Sequence, residues 1–285
     1  MNQAFVETLA RADQIMVGIA TKHGPHVTPE LFTVSSDRVW CMTAATTLKA
    51  RALAKGGRVA IAARTRDGLA IGTGTAIVID PLHPTKTTSG IADAARSPAA
   101  VSRFVLDNAA ELSGAVSDFV GGRLGQALPP HRVVLCIELK ATALGGDDFA
   151  PVDWNAREPS DAASSPEVEE LLDDVPVGLR DLAGSGQAFL GWLTDGGQPL
   201  VLPVDWDLAE HRATVPPELL QLTGAATSSR AAITRDDWTG YGPTGKQGLM
   251  LRGDGRVGDD AASVEIGIDG ATYWDGVETG SAKTP

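Results

Sequence analysis

The stretch Thr43-Ala-Ala-Thr-Thr-Leu-Lys-Ala-Arg-Ala-Leu53 gathers hydroxyls and positive charge in one place. It follows a strand pattern and opens a helical one. The start of a helix presents unpaired backbone N–H groups and partial positive charge, a setting that attracts anions. Thr46 and Thr47 can add hydroxyl donors, Lys49 and Arg51 can add charge, and Arg58 follows at the head of the next strand pattern. Together these groups suit the grip of a phosphate. The plainer alternative makes Thr46 or Thr47 a helix N-cap and leaves Lys49 and Arg51 on a solvated face.

Other candidates carry less. The loop Trp238-Thr-Gly-Tyr-Gly-Pro-Thr-Gly-Lys-Gln-Gly248 could stack aromatics on a ring and reach a phosphate with Lys246, although a solvent-exposed hairpin explains it as well. Gly240–Lys246 matches the GxxxxGK of a phosphate-binding loop. Gln247 stands where Ser or Thr is required, and a strand pattern follows where a helix must start, so the match is rejected. His23 and His26 are spaced HxxH across a hairpin turn with no Cys or carboxylate partner nearby, so no metal site is expected. His83, His131 and His211 are scattered, and no GxSxG or Ser–His–Asp arrangement stands out.

Composition bounds the rest. With 285 residues, 43% hydrophobic and 21% charged, the chain has apolar surface for one large or two ordinary domains. A net charge of −12 argues against nucleic acid as partner, because that affinity rests on Lys and Arg displacing counterions. Cys41 and Cys136, each inside an apolar run, read as small reduced hydrophobes. No run approaches the roughly 18 apolar residues of a membrane span, and the first twenty residues mix charges where a signal peptide needs an apolar stretch. The expected setting is cytoplasmic, with no membrane partner.

Short strand patterns dominate: Ile15–Thr21, Val27–Val34, Arg38–Thr43, Val59–Arg64, Leu69–Ile79 and Val133–Leu139 in the first half. Helices are expected over Thr47–Lys55 and from Ser97–Pro98, a good N-cap followed by Pro at the first helical position. Gly114 is a possible break in that second helix and Gly121–Gly122 its expected end. Residues 146–175 turn polar, acidic and Pro/Ser-rich, reading as a linker with room for one short helix. Strand patterns then resume at Ala188–Thr194, Leu200–Trp206, Arg212–Val215, Arg230–Arg235, Gly248–Arg252 and Ser263–Ile268.

The two series overlay. Val17–Pro29 matches Leu190–Pro203 with one inserted residue, placing Gly18 over Gly191, Thr21 over Thr194, Gly24 over Gly197 and Pro29 over Pro203. Arg58–Arg64 then lies over Arg230–Asp236. Hairpins share turn residues for physical reasons, so the common order and spacing count for more than any single match. The expectation is an internal duplication: one domain over 1–145, an acidic linker over 146–175, and a second, degenerate copy over 176–285. That copy carries Glu218 and no Lys or Arg before Arg230 in its counterpart of the phosphate segment.

PHVTPELFTV (Pro25–Val34), VWCMTAATTLKARAL (Val39–Leu53), RVAIAAR (Arg58–Arg64) and the closing ATYWDG (Ala271–Gly276) resemble the pyridoxamine 5′-phosphate oxidase-like split barrels of the flavin and deazaflavin oxidoreductase superfamily. The resemblance implies a mainly β fold with some α: two split β-barrels in tandem, forming an intramolecular pseudo-dimer where the family usually pairs two chains. The protein would then be a monomeric pseudo-dimer or a homodimer. FMN is the implied cofactor, with a deazaflavin, haem or none as alternatives. Its phosphate maps onto Thr47 and Lys49, with Thr43, Thr46 and Arg51 as neighbours. Val27, Thr28 and Pro29 would lie along the ring and offer backbone hydrogen bonds. The sequence departs from the family at Ala52, where many members carry Asn, and at Leu48, where some carry Arg. The implied function is an oxidoreductase acting on an unidentified small molecule, with a non-catalytic flavin- or haem-holding protein as the alternative.

Overall fold

The computed structural model describes residues 2–65, 68–80, 91–110, 112, 131–145, 166–216, 219, 228–238, 246–259, 262–276 and 278–284. Gly114, Gly121–Gly122, His83, Glu218 and most of the 146–175 linker lie outside the described residues. Chain contacts divide the protein into two compact units, Met1–Ile19 with Thr28–Gly146, and Ala20–Val27 with Asp147–Pro285.

The elements up to residue 145 are α1 (Gln3–Leu9), β1 (Ile15–Thr21), β2 (Gly24–Glu30), β3 (Phe32–Ser35), β4 (Arg38–Ala44), α2 (Leu48–Ala52), β5 (Gly57–Thr65), β6 (Gly68–Ile79), α3 (Ile91–Asp107) and β7 (Arg132–Gly145). They belong to the first unit except for the end of β1 and the first four residues of β2, which group with the second. The strands form one sheet in the order β2-β1-β5-β6-β7-β4-β3. Its two edge strands are consecutive in the chain and separated only by Leu31. The sheet therefore closes through the backbone itself into a six-stranded barrel, with β2 and β3 as two halves of one bent strand. The strand pattern over Val27–Val34 predicts a continuous strand; Leu31 interrupts it because its two halves serve different neighbours, β1 and β4.

Residues alternate between two apolar faces, as the period of two in a strand requires. Ile15, Val17, Ile19, Val39, Cys41, Val59, Ile61, Leu135 and Ile137 fill the barrel, together with Phe5 and Leu9 of α1. Trp40, Ile79, Val134 and Cys136 face the other way and pack under Ala100 and Val101 of α3. Burying each large aliphatic side chain is worth about 1.5–3 kcal/mol relative to exposure. The β3–β4 hairpin turns at Ser36 and Asp37, both with positive φ (53° and 58°), as a tight two-residue turn demands. Pro98 is not at a helix start. It lies inside α3, because the Ala-rich stretch before it already favours helix and outweighs the lost N–H.

The second unit holds α4 (Pro166–Asp173), β8 (Gly186–Leu193), β9 (Pro199–Asp207), β10 (Arg212–Thr214), β11 (Ser228–Trp238), β12 (Lys246–Val257), β13 (Ser263–Asp275) and β14 (Glu278–Lys283). β10 pairs with both β9 and β13, which closes a ring β10-β9-β8-β11-β12-β13; β14 extends β13 as an outer hairpin. This is the strand plan of the first barrel, with unbroken β9 in the place of β2 and β3.

The overlay of the two halves holds at the level of register. Gly18 pairs with Ala60 in β5, and Gly191 pairs with Ala232 in β11. The turn glycines Gly24 and Gly197 both take positive φ (105° and 71°). The protein is mainly β, with two seven-stranded antiparallel sheets of equivalent plan.

Candidate functional site

In the first barrel, β2 carries Thr28, Pro29 and Glu30, β4 ends at Thr43–Ala44, and Thr47 caps α2. The cap is local chemistry. Thr47 Oγ1 accepts from the Ala50 N–H at 3.2 Å and donates to the Ala44 carbonyl at 2.9 Å. The Thr43 hydroxyl lies 3.3 Å from it. Thr47 is thus the N-cap that the plainer alternative anticipated. α2 spans only five residues, so charge at this place comes from side chains more than from a helix field.

Lys49 supplies that charge from an enclosed position. Its side chain is 4% exposed, whereas a solvated face would leave it in water. Its ammonium donates to Thr28 Oγ1 and forms an ion pair with the Glu30 carboxylate, itself 12% exposed. Thr28 and Glu30 share a face of β2, since they are two residues apart on a strand. A third charge completes the cluster. Arg132 opens β7 directly opposite Ala44. Burial pushes its guanidinium below the ordinary arginine value, and the nearby Glu30 carboxylate opposes that shift. The field reaches the barrel interior as well: burial, then Glu30, push the Cys41 thiol well up, with Lys49 acting against them.

Thr28 and Lys49 are therefore brought together by a direct hydrogen bond, and Thr43 and Thr47 by another. Thr46 and Arg51 are exposed. Pro29 is half-buried between Thr28 and Glu30. Val27 is fully buried and groups with the second unit, where its N–H donates to Met250 Sδ at 3.5 Å and its carbonyl accepts from Thr234 Oγ1 at 3.2 Å. Both backbone groups of Val27 are thus engaged by protein partners.

Glu30 and Arg132 were absent from the sequence reading. Glu30 carried a signal, because it sits two residues past Thr28 in a strand pattern. Arg132 carried none, since only the β4–β7 register brings it to this end of the barrel. The same end holds a further pair: His131 Nε2 lies 2.9 Å from Asp80 Oδ1, and the His131 carbonyl accepts from the Ala45 N–H at 3.0 Å.

Elsewhere the chemistry is structural. Trp238 and Lys246 are register partners in the β11–β12 hairpin, so Lys246 begins a strand, in agreement with rejection of the phosphate-loop motif. Residues 239–245 of that loop lie outside the described residues. Arg230, the counterpart of Arg58, is committed to Asp269 at 2.5 and 2.8 Å and to Asp254 at 3.0 Å. Among the described residues, no group of three or more His, Cys, Asp or Glu is placed to hold a metal. No helix there is long and apolar enough to cross a membrane.

No family model matches the chain, and no curated protein matches it either. Solved structures do. A conserved hypothetical protein from Mycobacterium tuberculosis is 18% identical over 51% of this chain and 85% of its own, with a TM-score of 0.34. An FAD and haem binding protein from Mycobacterium smegmatis is 16% identical over 51% and 71%, with a TM-score of 0.33. An F420 reductase is 14% identical over 50% and 98%, with a TM-score of 0.33. Each covers about half of this chain. At these identities and TM-scores the similarity is a likeness, and what those proteins bind is said of them alone.

Proposed function

We propose that the first barrel holds the phosphate of a flavin-type cofactor at Lys49, and that the protein is a flavin- or deazaflavin-dependent oxidoreductase. The observation that supports this reading is the enclosure of Lys49. A buried ion pair is weak as a source of stability, because desolvation offsets most of the attraction. A lysine kept out of water beside the Thr28 hydroxyl is better suited to meeting an anion. The donor set fits a phosphate: one ammonium, one guanidinium at Arg132, and the Thr28 hydroxyl. A bound flavin or deazaflavin would supply the hydride chemistry. The chain's own part is then to fix the phosphate through Lys49 and Thr28, with Thr47 holding the turn that aims Lys49 inward.

The engagement of both Val27 backbone groups favours a second reading, in which the protein holds such a cofactor without turning it over. Visible absorbance of the purified protein, with mass measurement of any released ligand, tests the common core of both. A colourless protein that takes up neither FMN nor a deazaflavin on titration would end the cofactor reading. Bound cofactor that is neither reduced nor reoxidised by any donor or acceptor tried would favour the second.

A further inference from the structure

We infer that Glu30 sets the charge of the phosphate this site accepts: a singly charged phosphodiester in preference to a doubly charged terminal monoester. This rests on the cofactor reading above and narrows it.

The argument is charge matching in an enclosed place. Lys49 and Arg132 contribute two positive charges and Glu30 one negative, leaving a net single positive charge. The other ionisable groups nearby alter this little. Cys41 is held as a neutral thiol by its burial. The Asp80 carboxylate is turned to His131 Nε2 at 2.9 Å, and the carboxylate felt at Arg132 is that of Glu30. Arg51 is exposed and two residues from Lys49 on α2, so it faces elsewhere. A phosphate monoester carries close to two negative charges at neutral pH, its second ionisation lying near about 6. With Glu30 in place, such a group would leave one negative charge uncompensated among buried side chains, which is costly. A phosphodiester carries one negative charge and closes the balance. Glu30 cannot readily leave, since its carboxylate is largely enclosed and bound to the Lys49 ammonium.

Three ligands with one ring and different charges test this: riboflavin, riboflavin 4′,5′-cyclic phosphate and FMN, titrated by flavin fluorescence. The native chain is expected to bind the cyclic phosphate about tenfold or more tightly than FMN. Glu30→Gln removes the competing charge and is expected to tighten FMN by about tenfold relative to riboflavin. Glu30→Asp keeps the charge and should keep the native order. The native comparison stands even if Glu30→Gln fails to fold. Preference for FMN by the native chain, or an FMN affinity unmoved in a folded Glu30→Gln, overturns the charge assignment while leaving a flavin site intact. No binding of any of the three, riboflavin included, overturns this inference and the flavin form of the cofactor reading; failure of a deazaflavin as well ends that reading altogether.

Discussion

Gly74 and Gly253 hold the same position in the two barrels. Each adjoins an irregularity in strand pairing, Thr73/Gly74 in β6 and Arg252/Gly253 in β12. A Cβ on Gly74 would lie 2.0 Å from the Glu138 carbonyl oxygen, and one on Gly253 would lie 1.9 Å from that of Gly267. The facing backbone occupies the space a side chain would need, and a bulge of this kind bends a strand so that a small barrel can close. Gly74→Ala and Gly253→Ala should each destabilise the protein by about 1–3 kcal/mol or more, read as a lowered urea midpoint. Unchanged midpoints would show that the strands relax without cost.

Lys49 and Glu30 should behave as a coupled buried pair. Lys49→Met leaves the Glu30 carboxylate enclosed without its main partner, and breaking one side of such a pair costs about 3–5 kcal/mol. The lower end is expected, because Arg132 still acts on Glu30. The double variant Lys49→Met, Glu30→Leu removes both charges and should recover most of the loss. A double variant no better than the single one would show that packing, not charge, set the penalty. The same single variant should weaken FMN far more than Lys246→Ala does.

Cys41 supplies a pH dependence. Its thiol is raised in the folded protein, chiefly by burial, so the fold favours the protonated form. The resulting stability is complete below the unfolded thiol value, about 8.5, and declines as pH rises above it toward the folded value. Cys41→Val should therefore flatten part of the fall in unfolding midpoint between pH 7 and 10. Native Cys41 and Cys136, both buried, should also resist iodoacetamide until the protein unfolds. Rapid labelling of the native protein at pH 8 would contradict the enclosure of both thiols.

Much of the fold was legible where side chains alternate. β1 spans the Ile15–Thr21 of its sequence pattern, and β6 begins one residue before its own. The repeated plan was legible in the common order and spacing of the two strand series, with Gly18 and Gly191 recurring inside β1 and β8 and Gly24 and Gly197 at the turns that follow. β14 and α1 were missed: one is six mostly polar residues on an outer edge, the other a single two-turn helix. At the site, Thr47 and Lys49 stood out by type and spacing. Arg132 could not, since it lies more than eighty residues from Lys49 in sequence and arrives only through the β4–β7 register.

Thr234 and Val27 give the last test. Thr234 is fully buried in β11, and its hydroxyl donates to the Val27 carbonyl at 3.2 Å. The segment Ala20–Val27 belongs with residues after Asp147, and Gly191 leaves room for it: a Cβ there would lie 2.6 Å from Val27 Cγ2. Thr234→Val keeps the shape and removes the donor, so the Val27 carbonyl becomes a buried acceptor without a partner. A cost of about 1–3 kcal/mol follows. Thr234→Ser keeps the hydroxyl and should lose less. If the two variants melt alike, the hydrogen bond contributes nothing that packing does not. Residues 147–285 produced alone lack Ala20–Val27 and should bind a hydrophobic dye and melt less cooperatively than the whole chain, because part of that unit's own core is missing.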